Sequence, residues 1–249
     1  MTPDSASVGP AAGGHAGPAT AAGPTLGTEA AAELSLDQQP DATPDLGVGV
    51  GPHPQPWPDD PRLDRELLAV GDRRNVVDRY RYWRLDAIVA DLDGHRHDFA
   101  VAIENWQHDA NIGTVVRTAN AFNASEVVIV GRRRWNRRGA MVTDRYQHIV
   151  HLPDIGALAA HAERAGRVLI AIDNAPGAVP LETALLPRRA LLVFGQEGPG
   201  LSAEARAAAT GLYSIAQYGS TRSINAGVAA GIAMHAWIRQ HAGAPSVET

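Results

Sequence analysis

The chain contains no cysteine and no lysine. Without thiols it has neither a disulfide framework nor a cysteine-ligated zinc site. Without lysine, all 22 of its basic residues are arginines. Arginine offers a planar fork that suits phosphates and stacks on bases, although a genome biased toward Arg and Ala codons gives the same composition. No run approaches the roughly 18–20 apolar residues needed to cross a bilayer, so a cytoplasmic protein with no membrane partner is expected. Basic residues are also missing from one end. Residues 1–61 carry none, but hold eight acids among runs of Ala, Gly, Pro and Thr. Such a stretch cannot bury enough apolar surface to offset chain entropy, and residues 1–58 are expected to be a disordered acidic tail. A signal peptide would need a basic start and a continuous apolar core, and neither is there. The net charge of −5 hides this division, because 22 arginines against the other 19 acids leave residues 62–249 at +3.

Residues 59–97 read as a short, charged helical lead-in, broken at Gly71-Asp72. From there strand and helix alternate. Strands are expected at Phe99–Glu104, Glu126–Val130, Arg167–Ile172, Arg189–Phe194 and Leu212–Ala216. Helices are expected at Asn111–Phe122, Asp154–Ala165, Ser202–Ala209 and Ser223–Gln240. The strands are nearly continuous runs of Val, Leu and Ile, as expected when both faces of a sheet are covered. The fold class is therefore α/β, a parallel sheet flanked by helices over 98–245. In such sheets ligands sit at the carboxyl ends of the strands.

Three stretches fall at those ends. Gly195-Gln-Glu-Gly198-Pro-Gly200 follows a strand, and its glycines permit close backbone approach to a ligand; a plain strand-to-helix turn would also use them. Its spacing is not that of a dinucleotide loop, and the first strand is followed by Asn105-Trp106-Gln107 instead of glycines. Glu197 within it serves either as a local cap or as a functional carboxylate. Asn111 and Arg117 open a second helix. They lie six positions apart and do not share a face; Asn111 is expected as the N-cap. Arg117, in an otherwise apolar helix, pairs with an acid, faces solvent, or points at an anionic substrate. The third stretch, Ser223-Ile224-Asn225, starts a small-residue helix whose glycines suggest close approach of another backbone, and Ser and Asn there are also ordinary caps. A fourth feature, Arg132-Arg133-Arg134-Trp135-Asn136-Arg137-Arg138, interleaves cations with a stacking surface and is read as RNA-binding, though charge runs are commonly solvated faces. No ligand cluster for a metal is apparent.

In order and spacing these stretches resemble the SpoU/TrmH branch of the SPOUT superfamily of RNA ribose methyltransferases. Asn111, Gly113 and Arg117 match its N-x-G-x-x-x-R motif. Gly195, Glu197, Gly200 and Leu201 match its G-x-E-x-x-G-L. Ile215, Gly219, Ser223, Ile224 and Asn225 match its third motif, with Ala216-Gln217-Tyr218 where many members read Pro-Met-x. The resemblance spans about 98–242. It implies a C-terminal trefoil knot, S-adenosylmethionine as cofactor, an obligate homodimer, and methylation of a ribose 2′-hydroxyl in tRNA or rRNA, with tRNA favoured by the short lead-in. By carry-over Arg117, Asn111, Glu197, Ser223 and Asn225 are the catalytic-site residues, and Gly195, Ile215 and Ile224 hold the cofactor. The alternatives are a catalytically silent RNA-binding protein of the same fold and a nucleotide-binding oxidoreductase. The latter lacks the early glycine fingerprint.

Overall fold

The structure, a computed structural model, describes residues 49–107 and 111–243. The expected acidic tail lies outside them up to residue 48. Residues 49–58, assigned to that tail from composition, instead pack on the body. Val50 pairs with Asp72 through N–H···O bonds of 2.9 Å in each direction, and His53 N–H donates to Leu68 O at 2.9 Å.

Two short helices, α1 (Arg65–Val70) and α2 (Leu85–Asp93), form the lead-in. The sequence suggested a single break at Gly71-Asp72, yet residues 71–84 are irregular apart from a 3₁₀ turn at Asp78–Tyr80. A polar network overrides helix propensity there. Asp72 is fully buried, and its carboxylate accepts from Arg74 N, the Arg74 guanidinium and Tyr82 N at 2.7–3.0 Å. A buried carboxylate so partnered is more stable than one left in a helix without donors.

The sheet has seven parallel strands: β1 (Ala100–Asn105), β2 (Val127–Gly131), β3 (Ile149–Leu152), β4 (Val168–Ile172), β5 (Val179–Pro180), β6 (Ala190–Phe194) and β7 (Gly211–Ser214). Their order is β3-β2-β1-β6-β4-β7-β5. Helices α3 (Asn111–Ala121), α4 (Ile155–Arg164), α5 (Ala203–Ala208) and α6 (Ala226–His241) cover it. Alternate residues of each strand enter opposite cores. Val101, Ile103, Ile129, Leu192 and Phe194 pack with Ile112, Val115 and Val116 of α3 and Met234 and Trp237 of α6. Ala100, Ala102, Val128, Val130, Leu191 and Val193 pack with Ile155 and Leu158 of α4 and Ala205 of α5. This two-sided burial explains why the strands show no polar alternation. Strands β3 and β5 were not anticipated. They are the sheet's edges, four and two residues long, and the second contains a proline. Short runs of this kind carry little periodicity.

In the middle of the sheet β6 lies between β1 and β4, so the loops after β1, β4, β6 and β7 all leave the same edge side by side. That switch in strand order is where an α/β sheet offers a crevice. No described helix is long and apolar enough to cross a membrane.

Candidate active site

A cleft of about 250 Å³ occupies that crevice. Its walls come from the end of β4 (Ile172, Asp173, Asn174), the loop after β6 (Gly195, Gln196, Glu197, Gly198, Gly200, Leu201) and the segment from β7 into α6 (Ile215, Gln217, Ser223, Ile224, Asn225). The glycine loop is closed on itself, with Gln196 and Gly200 exchanging backbone hydrogen bonds of 3.2 and 3.1 Å. A Cβ on Gly195 would stand 2.1 Å from Gly200 C, so only glycine allows this closure. Gly198 and Gly200 have φ of +92° and +71°, the left-handed region that other residues enter at a cost.

Three of the motif side chains meet at the rim. Asn111 Nδ2 donates to Glu197 Oε2 at 2.7 Å, and Asn225 Nδ2 donates to Asn111 Oδ1 at 2.8 Å. Asn225 is also the N-cap of α6, accepting on Oδ1 from Gly227 N (2.9 Å) and Val228 N (3.2 Å). The helix therefore begins at Ala226 rather than Ser223, because the Asn225 side chain takes the orphan amides of the first turn. Asn111 departs from its expected role. It is the first residue of α3 itself, buried, and its amide bridges two other loops. Gly113 is explained by packing, since a Cβ there would stand 2.7 Å from Ala140 N in the 3₁₀ turn Arg137–Ala140. Helix α6 also lies close to α3: a Cβ on Gly227 would stand 3.0 Å from Thr114 Cγ2.

Arg117 stands apart. It is exposed, lines no part of the cleft of its own chain, and has no ion-pair partner among the described residues. Its helix packs against α6, on which Val228 and Ile232 remain 53% and 41% exposed.

The arginine-rich segment leaves the end of β2. Arg132, Arg133, Arg134, Arg137 and Arg138 are all exposed. Among the described residues only Arg137 has an acid within reach, Asp144 at 3.7 Å. Arg137 also lies over the Trp135 ring, 5.7 Å from its centroid. Burial, with Arg133 and Arg137 nearby, holds the His151 imidazole below its usual pKa, so it adds no positive charge to this patch at neutral pH. The root of the segment is fixed by fully buried Asn105, whose Nδ2 donates to Arg132 O (2.7 Å) and Arg134 O (2.8 Å). The next two residues, Trp106 and Gln107, donate their backbone N–H groups to Gln196 Oε1 at 2.7 and 2.6 Å. Three consecutive residues thus tie the arginine segment to the glycine loop. Glu104, fully buried, adds a fourth tie, accepting from Trp106 Nε1 (3.1 Å) and Ser202 N (2.8 Å).

Residues 98–235, more than half of the chain, match the SpoU rRNA Methylase family. The chain belongs to that family. A tRNA/rRNA methyltransferase of Mycobacterium leprae, named as uncharacterized, is 29% identical over 238 residues, covering 90% of this chain and 72% of its own. A counterpart in Mycolicibacterium smegmatis is 30% identical over 202 residues, covering 78% and 55%. Among solved structures, the A. aeolicus TrmH/SpoU tRNA modifying enzyme superposes with a TM-score of 0.56 at 22% identity, covering 63% of this chain and 82% of that one. An AdoMet-bound rRNA methyltransferase of Sinorhizobium meliloti superposes at 0.52 with 25% identity, covering 61% of each. The chain is thus a methyltransferase of the SpoU/TrmH family, whose methyl donor is S-adenosylmethionine.

The cleft fits that donor by its own chemistry. Its walls are apolar at Ile172, Phe194, Leu201, Ile215 and Ile224, its floor is backbone of a loop no side chain could fill at Gly195, and Gln217 Oε1 is a buried acceptor with no described partner. The motif residues Gly195, Glu197, Ile215, Ser223, Ile224 and Asn225 all line it. Gln217, met in the sequence only as a departure within the third motif, lines it too, and Asp173 and Asn174 line it although no motif includes them. The signal for these two was positional: the chain leaves β4 next to β6, a neighbour relation only the strand order reveals. Among the described residues no group of His, Asp and Glu could hold a metal ion.

Proposed function

We propose that this family member transfers the methyl group of S-adenosylmethionine to a ribose 2′-hydroxyl of tRNA, working as a homodimer whose sites are completed across subunits. The observation that carries this reading is the position of Arg117. It is an exposed cation without a described ion-pair partner, on the helix whose first residue is bonded to the cleft rim, yet it lies outside its own chain's cleft. A second copy docked on the α3/α6 face, where Val228 and Ile232 are exposed, would bring its Arg117 to this cleft. The preference for tRNA rests on the short lead-in over residues 59–97, since the solved neighbours include both a tRNA-modifying enzyme and an rRNA methyltransferase. A C-terminal trefoil knot belongs to the same reading, supported by the way the segments after β4, β6 and β7 enclose one cleft.

When bound, the donor would supply an electrophilic methyl carbon on a sulfonium and leave as the neutral thioether, the 2′-hydroxyl proton passing to solvent water. The residues of this chain then have three tasks. The cleft would hold the donor beside the hydroxyl oxygen, and alignment of the two would supply several kcal/mol as effective concentration. The Asn225–Asn111–Glu197 chain fixes the rim, so the position of α3 is set relative to the donor. A guanidinium stays protonated in proteins and is a poor base; Arg117 clamps the target phosphate and stabilises the charge developing on the attacking oxygen. The arginine segment Arg132–Arg138 with Trp135 contributes phosphate contacts and stacking.

Tritium transfer from labelled S-adenosylmethionine into bulk tRNA and rRNA, followed by mass mapping of 2′-O-methyl nucleosides, tests this directly. Label in tRNA ribose is expected. Label on a base, or none on any RNA despite donor binding, would sink the reading, and the second result would favour an RNA-binding protein without catalysis. Arg117→Lys is expected to lower turnover with little change in RNA affinity; unchanged turnover would refute the clamp.

A further inference from the structure

The loop Gln217–Arg222 carries an unexplained aromatic. Tyr218 is 96% exposed, the most exposed of the large hydrophobic side chains and the only aromatic among those left open in the described residues. An isolated exposed apolar residue needs no account, but this one sits between two cleft-lining residues, Gln217 and Ser223. The loop is held at both ends. Ala216 N–H donates to Glu182 Oε1 at 3.0 Å, and Arg222 O accepts from Asn174 Nδ2 at 2.9 Å, with Asn174 itself in the cleft wall. Arg222 is exposed, and its guanidinium has no described partner. A phenol ring and a guanidinium are therefore displayed on a tethered loop whose flanking residues, Gln217 and Ser223, line the donor cleft.

Resting on the function proposed above, we propose that Tyr218 is a base-stacking, specificity-determining residue that selects an unpaired nucleotide at or beside the methylation target, with Arg222 contacting the adjoining phosphate. An aromatic face stacks on any splayed base, whereas bases inside an A-form helix have both faces covered, so single-stranded positions are those that aromatic side chains recognise. Arginine adds charge for the phosphate and a plane for stacking. Because the loop is anchored at Ala216 and Arg222, ordering it on RNA costs less than ordering a free segment. The consequence is a substrate class: a ribose in a loop or bulge, not one in a stem.

Two measurements on the full chain test this. In the first, wild type, Tyr218→Trp, Tyr218→Ala and Arg222→Ala are titrated with single-stranded poly(U) and with the poly(A)·poly(U) duplex, without donor, so that the outcome does not depend on turnover. Tyr218→Trp should bind the single strand as wild type does and lose more fluorescence on binding than wild type, whose five tryptophans include Trp135 in the arginine segment; Tyr218→Ala should lose roughly 10-fold in affinity, since stacking of one base is worth about 1–3 kcal/mol. The duplex should show no such difference. In the second, KM and kcat are measured on tRNA alongside donor affinity by calorimetry and mass by sedimentation. Tyr218→Ala should raise KM by about the same factor, with donor affinity and oligomeric mass unchanged. Equal loss on single strand and duplex, an equal loss of donor affinity, or dissociation of the assembly would overturn the proposal, the last two assigning Tyr218 to a lid or to a subunit interface. Absence of any methyl transfer by wild type would refute the proposed function, while the quenching titration would still decide the stacking role.

Discussion

Replacing Gly195 by alanine tests how the donor cleft is built. The added Cβ would lie 2.1 Å from Gly200 C, 2.2 Å from Leu201 N and 2.3 Å from Gly200 O. All three are backbone atoms, so no side chain can swing away to relieve the clash. The loop must open, breaking the two Gln196–Gly200 backbone bonds. Those bonds are worth about 1 kcal/mol each, and overpacking adds about 1–3 kcal/mol. A loss of roughly 3–5 kcal/mol lowers the melting temperature by roughly 5–20 °C at this chain length. Calorimetric titration should show S-adenosylmethionine binding abolished or weakened by more than tenfold. Two companions calibrate the result. Gly198→Ala meets nothing within 4 Å but has φ +92°, which costs about 1–2 kcal/mol. Gly219→Ala also meets nothing within 4 Å, with no left-handed φ, and should change stability by no more than about 0.5 kcal/mol. If Gly195→Ala melted and bound donor like Gly219→Ala, the account of a cleft floored by closed backbone would be wrong.

Gln196→Leu removes the buried acceptor shared by the amides of half-buried Trp106 and exposed Gln107; the more enclosed Trp106 amide costs about 1–3 kcal/mol when orphaned, and hydrogen exchange at these two amides should accelerate at least tenfold, unchanged protection disproving the tie. Asn225→Ala removes both the cap of α6 and the bond to Asn111. A loss of about 1–2 kcal/mol in denaturant unfolding is expected, with weaker donor binding as well; a purely local cap would leave binding intact. Burial alone pushes the Asp72 carboxyl up, but hydrogen bonds from Arg74 and the backbone of Arg74 and Tyr82 outweigh it and hold the pKa below the usual value. A pKa lowered on folding gives stability that is present above the unfolded value, about 3.9, and is lost as pH falls through the folded one. Asp72→Asn should therefore be clearly destabilising near pH 7 in urea melts and progressively less so below about pH 4; a penalty independent of pH would remove the charge from the explanation.

Much of the catalytic domain could be read without coordinates because its signals are local. The runs Ala100–Asn105, Val127–Gly131 and Ala190–Phe194 are long, β-branched or leucine-rich and bounded by polar residues, so their type and approximate ends were legible. Asp154 and Ser202 announce α4 and α5 as caps, each accepting from the amide three residues on. The edge strands at Ile149–Leu152 and Val179–Pro180 were not legible, since they owe their extended backbone to a neighbour. Residues 71–84 misled for the same reason. Their apolar spacing fits a helix, but Asp72 finds its donors only when Tyr82 and Arg74 fold back on it. At the site, motif order located Asn111, Gly195, Glu197, Ser223 and Asn225, while local sequence alone made Asn111 a cap, because its partners are 86 and 114 residues away.

The amino-acid sequence by itself determined the layer architecture, the positions of the glycine and asparagine motifs, and the separation of an arginine-rich body from an acidic end, because each depends on residues close together along the chain. Only the tertiary structure decided that β6 inserts between β1 and β4, that Asp173, Asn174 and Gln217 share a cleft with the motifs, and that Arg117 faces away from it. Those facts depend on which distant segments lie side by side, and side-chain periodicity within one segment carries no record of its neighbour.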